Sequence, residues 1–189
     1  MCNTACLDWV ASVISEQEIK GAEILESGAF DVNGSARNLF EQYKPKSYIG
    51  TDIQPGRGVD RICAAEGLTD MFGRRAFDVV LSTEVIEHVR DWRAVITNYK
   101  QILRPFGLLI ITTRSLGFPY HEHPVDCWRY EPADMTDIFR DFEILNLNKD
   151  ESAPGVFIKA RKPKRWKPAD LSEIALWKIT PGQLEERSL

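Results

Sequence analysis

Short apolar runs alternate along the chain with segments whose apolar positions follow a helical period. The runs predict strands at 23–27, 48–53, 59–62, 77–82, 108–113, 142–147 and 155–161. The periodic segments and the turn residues around them predict helices at 6–20, 35–43, 68–72, 91–103 and 131–139. This alternation predicts a three-layer α/β domain, in which helices cover both faces of a mostly parallel sheet.

Two features refine this architecture. The run at 108–113 is apolar on both sides, which is typical of a central strand buried under helices on both faces. Pro154-Gly155 separates the last two strands, so that pair is expected to form an antiparallel hairpin. Residues 162–189 are polar and punctuated by prolines. We therefore expect a domain over residues 1–161 and a C-terminal appendage over residues 162–189.

Composition limits the classes of partner. The chain has 189 residues, 43% of them apolar, and a formal net charge of -4. A mildly acidic chain is not expected to coat nucleic acid or a membrane surface. No apolar run approaches the ~20 residues that span a bilayer, and the first residues lack signal-peptide features. A cytoplasmic protein with cysteines in the thiol form is expected.

A glycine and an acid follow the first two predicted strands. Gly28 lies at the first strand-to-helix turn, where glycine permits a close approach of the backbone to a ligand. Asp52 ends the second strand, where a carboxylate can accept hydrogen bonds from ribose hydroxyls. Ligands of parallel sheets bind at the carboxyl ends of the strands. The pair therefore predicts an adenosine-type ligand, although either residue alone is a weak signal.

Four stretches carry a resemblance to a known family: Glu26-Ser27-Gly28, Tyr48 to Ile53, Phe77 to Val89, and Leu103 to Leu109. Over residues 22–160 the sequence resembles the class I S-adenosylmethionine-dependent methyltransferases. The resemblance implies a Rossmann-like seven-stranded sheet with an antiparallel last strand. It also implies S-adenosylmethionine as the cofactor and methyl transfer as the reaction.

The resemblance implies a set of cofactor-binding residues. These are Glu26, Ser27, Gly28, Ala29, Asp31, Asp52, Ile53, Ala65, Glu66, Ser82, Thr83, Glu84 and His88. Asp52 would hold the ribose, and Ile53 would pack on the adenine. Phe30 replaces the usual second glycine and Ala64 the usual adenine-binding acid, so Asp31 and Asn33, and Ala65 or Glu66, are expected to compensate. A salt bridge for Glu26 and a purely structural histidine at position 88 are the alternatives.

The loop at 114–130 is the candidate acceptor region, because it follows the central strand and carries two of the three histidines. A base helps an acceptor hydroxyl to lose its proton, and His121 or His123 is predicted to be that base. Tyr120, Trp128 and Tyr130 are predicted to line the acceptor pocket. A packed loop that covers the sheet end is the alternative. A second alternative makes His121, His123 and Asp126 metal ligands, whereas the favoured assignment contains no metal.

The favoured function is methyl transfer from S-adenosylmethionine to a small-molecule or saccharide-like acceptor. Three alternatives stay open: a non-catalytic adenosine-ligand module, an RNA methyltransferase, and an NAD-dependent oxidoreductase. The RNA alternative rests on a basic run at 159–167 around Trp166. The oxidoreductase is weakened because the first turn lacks GxGxxG. The sequence leaves the acceptor atom and the oligomeric state open.

Overall fold

The computed structural model describes residues 4–122, 124–181 and 183–188. Its helices are α1 (Thr4–Val13), α2 (Glu16–Ile19), α3 (Arg37–Glu41), α4 (Leu68–Phe72), α5 (Trp92–Ile102) and α6 (Pro132–Ile138). Its strands are β1 (Glu23–Ser27), β2 (Ser47–Asp52), β3 (Arg61–Ile62), β4 (Phe77–Thr83), β5 (Leu103–Arg114), β6 (Trp128–Arg129), β7 (Glu143–Lys149), β8 (Gly155–Arg161), β9 (Leu176–Thr180) and β10 (Gln183–Ser188). Within these ranges, none of the helices combines the length and apolarity needed to cross a membrane.

Seven strands form the central sheet, in the order β3-β2-β1-β4-β5-β8-β7. Strand β8 runs antiparallel to both of its neighbours, and the remaining neighbours pair in parallel. The predicted fold class, a mostly parallel sheet with an antiparallel last strand, is confirmed. The predicted hairpin around Pro154-Gly155 is the β7–β8 pair.

Two element boundaries differ from the sequence prediction. The helix predicted over 6–20 is divided into α1 and α2, because Ser15 and Glu18 form a capping box that starts a second helix. Strand β5 begins at Leu103, five residues before the predicted run at 108–113. Phe106, which lies within this extension, has a φ of +66° and donates its backbone N–H to Lys162. The extension is therefore anchored by the residue that follows β8.

The sheet is buried on both faces, as the apolar run in β5 predicted. Leu109 and Ile111 pack into one core with α5 and α6, whereas Leu108 and Ile110 pack into a second core with α1 and α3. Successive side chains of a strand point to opposite faces, so a continuous apolar run supplies both cores. The central strands are thereby held between two helical layers.

A second, three-stranded sheet joins β6 to the C-terminal strands in the order β10-β9-β6. Leu171 and Leu176 are buried in the larger core, and Arg93 of α5 donates to the carbonyls of Leu171 and Ile174. Residues 162–181 therefore pack on the domain. The division at residue 161 stays a prediction.

Tyr99 of α5 fastens the two strands that carry the candidate site. Its buried hydroxyl donates to Ser27 Oγ at 2.9 Å and lies 3.1 Å from Ser82 Oγ. Burial raises the pKa of Tyr99 to about 12, so the phenol stays protonated at neutral pH. The carboxyl ends of β1 and β4 are therefore joined through one side chain beneath the sheet.

Replacement of Tyr99 by phenylalanine should lower the free energy of unfolding by about 1–3 kcal/mol, because two buried serine hydroxyls lose their partner. Urea unfolding followed by circular dichroism measures the change. Tyr43→Phe, at a half-buried tyrosine beside the second core, is the matched control. Equal stabilities of the two variants would show that the Tyr99 hydroxyl does not fasten the strands.

Candidate active site

The ends of β1 and β2 lie side by side. Ser27 is in register with Thr51, and the backbone N–H groups of Gly28 and Ala29 both donate to the Thr51 carbonyl, at 2.8 and 2.9 Å. Gly28 and Asp52 therefore lie on either side of the carboxyl edge where β1 and β2 end, here called the crevice. This is the arrangement that the order of motifs predicted.

The segment that follows a third strand, β4, packs against the same turn. Gly28 has a φ of +80°, and a Cβ built on it would lie 2.1 Å from Val85 Cγ2. Val85 belongs to the segment after β4, so a side chain at position 28 would displace that segment. The glycine is required both by its backbone conformation and by this contact.

Asp52 is held by its neighbours with its carboxylate partly exposed. Its Oδ2 accepts from Phe30 N at 3.3 Å, and its Oδ1 accepts from Gln54 N at 3.2 Å. A carboxylate has about four acceptor positions, so it can still receive hydroxyl donors. The next residue, Ile53, is 57% exposed. A fixed acceptor beside an exposed apolar side chain fits a ribose and its base.

Phe30, which replaces the usual glycine, packs on the turn after β2. A Cβ on Gly56 would lie 2.2 Å from its ring. Asp31 joins the same turn through its backbone N–H, which donates to the Arg57 carbonyl at 2.9 Å, and through its carboxylate, 3.1 Å from Arg57 Nε. Asp31 also accepts from Gly34 N. Phe30 and Asp31 therefore hold the loop after β1 against the turn after β2.

Glu26 lies beneath the crevice, only 3% exposed, and its Oε2 accepts from the Tyr48 hydroxyl at 2.8 Å. Burial raises its pKa to about 7, although the hydrogen bond from Tyr48 and the positive charge of Arg37 oppose the shift. Glu26 thus changes charge near neutral pH, and its ionised form is destabilised in the folded protein.

The other predicted cofactor residues differ in exposure and in contacts. Ser27 and Ser82 direct their hydroxyls to Tyr99 beneath the sheet, and their backbones pair with the neighbouring strands. Ala29, Ala65 and Thr83 are buried. Glu66 is exposed, and its carbonyl accepts from Asn98 Nδ2 at 2.9 Å.

Glu84 begins the segment after β4 in a left-handed conformation, with a φ of +57°. Its carboxylate pairs with Arg114 and accepts from Cys6 Sγ of α1 at 3.4 Å. Burial, followed by the charge of Glu87, raises its pKa well above the usual range. Arg114, which the sequence did not single out, is the last residue of β5. A charged residue at the end of an apolar strand is the signal that could have identified Arg114.

The loop after β5 is clamped to the segment after β4. Cys127 N donates to the Glu87 carbonyl at 2.8 Å, and Trp128 Nε1 donates to the Val89 carbonyl at 2.8 Å. His88 Nδ1 lies 2.5 Å from the Val125 carbonyl. His88 is therefore held under the loop, and burial lowers its pKa.

His121 sits at the open side of this loop, with its side chain 21% exposed. Its Nδ1 lies 2.9 Å from Asp126 Oδ2, and Arg129 holds both Asp126 oxygens at 2.6 and 2.7 Å. Burial opposes ionisation of Asp126, but the hydrogen bonds from Arg129 and His121 keep its pKa well below the usual range. The imidazole therefore faces a fixed carboxylate.

The remaining predicted acceptor residues take different positions. Tyr120 is half-buried on the loop. Trp128 and Tyr130 are packed in the larger core, and the Tyr130 hydroxyl donates to the Ile86 carbonyl at 3.0 Å. His123 lies outside the described residues. His121 and Tyr120 are thus the two predicted residues that the loop presents near its surface.

Three members of the basic run make internal contacts. Lys159 donates to the Val13 carbonyl and to Glu18, both at 2.6 Å. Lys162 is buried and donates to two carbonyls at the end of α5. Trp166 Nε1 donates to Asp141 Oδ2 at 2.8 Å. The ammonium groups of the two lysines are therefore engaged within the protein, and Trp166 is half-buried.

Comparison with known proteins identifies the family. The family model described as "Methyltransferase domain" matches residues 5–150, more than half of the chain. The chain belongs to this methyltransferase family. The predicted membership of a methyltransferase family is thereby confirmed, and solved structures of S-adenosylmethionine-dependent methyltransferases share the fold.

Several proteins are similar to this methyltransferase. Two curated ubiquinone biosynthesis O-methyltransferases, from Parvibaculum lavamentivorans and Cereibacter sphaeroides, are 40% identical over 68 residues and 46% identical over 61 residues. These matches span 36% and 32% of this chain, but only 26% and 24% of the relatives' lengths.

A solved structure shares the fold. It is the Burkholderia thailandensis 1,6-didemethyltoxoflavin-N1-methyltransferase with bound 1,6-didemethyltoxoflavin and S-adenosylhomocysteine. It aligns with a TM-score of 0.66 and 14% identity over 85% of this chain and 80% of its own.

Replacement of Glu26 by glutamine should stabilise the ligand-free methyltransferase much more at pH 8 than at pH 5. The pKa of Glu26 rises from 4.5 to about 7 on folding. Stability is therefore lost as the pH rises from 4.5 through 7, by about 3 kcal/mol in total for this shift. Glutamine removes that loss and can still accept from Tyr48. Urea unfolding at both pH values measures it.

Glu23→Gln is the matched control on the same strand. Hydrogen bonds from Arg104 and Lys46 lower the pKa of Glu23, so its carboxylate stabilises the folded state above its unfolded pKa. The control should therefore be less stable than the parent at pH 8. A Glu26→Gln effect of the same size at pH 5 and pH 8 would contradict the assigned titration.

Proposed function

We propose that this methyltransferase transfers a methyl group to a hydroxyl oxygen of a small-molecule acceptor, saccharide-like compounds included. One observation carries the proposal: the cofactor crevice and the His121 loop meet at residues 84–88, after β4. Val85 packs on Gly28, while Glu87 and His88 bond to the loop. The two curated relatives are named O-methyltransferases, which agrees with a hydroxyl acceptor. The sequence match covers about a quarter of their length.

The proposed cofactor contacts follow from the crevice. Asp52 accepts hydrogen bonds from the ribose hydroxyls, and Ile53 covers one face of the adenine. The turn at Gly28 lets the backbone approach the ligand, and Glu26 and Glu84 border the methionine end. When bound, S-adenosylmethionine supplies an electrophilic methyl group on a positively charged sulfur.

The loop supplies the groups that act on the acceptor. The leaving thioether is neutral, so the protein has to align the acceptor, exclude water and assist removal of the hydroxyl proton. His121 is the residue through which the hydroxyl loses its proton. Asp126 and Arg129 fix the ring from the Nδ1 side, which leaves Nε2 for the acceptor, as in other carboxylate–imidazole pairs. Tyr120 contributes to the acceptor pocket on the same loop.

Asp52→Ala should weaken S-adenosylhomocysteine binding by about 10–100-fold, because two ribose hydroxyls lose a charged acceptor. Isothermal titration calorimetry measures the affinity. Asp137→Ala, at an exposed position on α6, is the control and should bind as the parent does. Equal affinities of both variants would remove Asp52 from the cofactor site.

His121→Ala should lower turnover by about 100–10,000-fold while leaving S-adenosylhomocysteine affinity unchanged. A screen of hydroxyl-bearing metabolites for S-adenosylhomocysteine release first identifies an acceptor, and kcat is then compared. Glu122→Ala, at the exposed neighbouring residue, is the matched control. The proposal fails if His121→Ala and Glu122→Ala turn over at the same rate.

A further inference from the structure

A buried carboxylate oxygen beside the acceptor loop has no partner. Glu87 is fully buried, and its Oε2 accepts from the Thr113 hydroxyl at 2.8 Å. Its Oε1 has no hydrogen-bond partner among the described residues. A buried polar atom that lacks a partner carries a desolvation penalty. A hydrogen-bond donor or a cation at Oε1 would offset this penalty.

The neighbouring imidazole offers a lone pair rather than a proton. His88 Nδ1 lies 2.5 Å from the Val125 carbonyl, which can only accept, so Nδ1 carries the hydrogen. Nε2 is then unprotonated in the neutral ring. It is buried without a hydrogen-bond partner in the described part of the chain and lies 3.8 Å from Glu87 Oε1. A histidine held through Nδ1 by a carbonyl is the usual form of a metal ligand.

His121 completes a group of three. Its ring lies 4.8 Å from that of His88, centroid to centroid, in an edge-to-face arrangement. One ligand atom from each of Glu87, His88 and His121 lies within 4.8 Å of the others. Asp126 stands 2.9 Å from His121 Nδ1, as carboxylates do behind metal-binding histidines.

The nearby arginines do not neutralise Glu87, because each is paired elsewhere. Arg114 contacts Glu84 and Asp150, and Arg129 holds both oxygens of Asp126. The carboxylate of Glu87 thus keeps an uncompensated oxygen that faces two imidazoles. A small cation is the partner that satisfies all three groups together.

We propose that Glu87, His88 and His121 bind one divalent transition-metal ion of the zinc type, with an open coordination position towards the acceptor. Two imidazoles and one carboxylate form a ligand set of catalytic zinc sites, and nitrogen ligands disfavour magnesium or calcium. Ligand atoms around tetrahedral zinc lie about 3.3 Å apart, given bonds of ~2.0–2.1 Å. The partly exposed His121 therefore has to move inwards by a small ring rotation.

This inference rests on the proposed function and specifies how His121 acts on the acceptor. A metal-bound hydroxyl ionises near neutral pH, and its proton passes to water. The resulting oxygen attacks the methyl carbon while the carbon–sulfur bond breaks and its electron pair stays on sulfur. His121 thus serves as a ligand instead of taking the proton itself.

The test is calorimetric titration of Zn²⁺ into the full, chelator-treated and dialysed chain. The parent should bind one ion per chain with a dissociation constant below 1 μM, roughly as ligand sets of this kind do. Glu87→Gln and His88→Ala should each weaken binding at least ~100-fold, and His121→Ala at least ~10-fold, since each removes a ligand. Glu87→Gln keeps the side-chain shape, so it tests the site even if His88→Ala folds poorly.

Two controls separate this site from other zinc ligands. The double variant Cys63→Ser/Cys127→Ser removes two partly buried thiols, and Glu143→Gln removes an exposed carboxylate. Both should bind zinc as the parent does. Circular dichroism and S-adenosylhomocysteine affinity confirm that each variant is folded.

Two outcomes would overturn the metal site: no zinc binding by the parent, or binding that survives both Glu87→Gln and His88→Ala. Its failure is distinct from failure of the proposed function. Turnover by the metal-free enzyme that still requires His121 would refute the metal and keep the methyl transfer. Zinc binding that requires all three residues would support the site even if no hydroxyl acceptor were found.

Discussion

Parallel pairing of β1 with both β2 and β4 is the constraint on which the site depends. It brings three strand ends to one edge, so that Gly28, Asp52 and Val85 meet although they are far apart along the chain. Because the ends carry backbone groups that the sheet no longer uses, this edge is where a ligand can approach the main chain. The Tyr99 hydroxyl fixes the spacing of β1 and β4 from below. Loss of this register would separate the groups proposed to hold ribose from those that face the methyl group.

The proposed acceptor loop, residues 114–130, is held beyond Arg114 by contacts between loops and not by strand pairing in the central sheet. Backbone hydrogen bonds from residues 125–128 to residues 87–88 hold the loop against the cofactor edge. The same loop is held from the other side, where Ile179 N donates to the Cys127 carbonyl at 2.9 Å and β6 pairs with β9. The family match ends at residue 150, so the loop depends on a segment beyond it. The proposed acceptor loop is therefore held by strands beyond the family match, whereas the strand ends at Gly28 and Asp52 lie within it.

The sequence was sufficient for the features that local order determines. Apolar periods and turn residues predicted the parallel sheet and the β7–β8 hairpin, and motif order predicted the meeting of Gly28 and Asp52. It was insufficient where a side chain's direction depends on a distant partner. Trp128 and Tyr130 have the composition of a pocket but pack into the core, because β6 pairs with a strand almost fifty residues later. The pairing of Glu84 with Arg114 likewise requires two strands to be neighbours.

Buried acids at the ends of β1 and β4 lower the stability of the fold at the candidate site. Glu26, Glu84 and Glu87 are each nearly inaccessible to water, although an apolar residue at any of them would avoid the desolvation cost of a carboxylate. Glu84 adds a left-handed backbone conformation that glycine would adopt more easily. The two hydrophobic cores are apolar, and buried charged residues away from this edge, such as Lys100 and Asp134, have ion-pair partners. Three buried acids, one of them with a left-handed backbone, thus lie together at the ends of β1 and β4, which is where a site for a charged ligand is proposed.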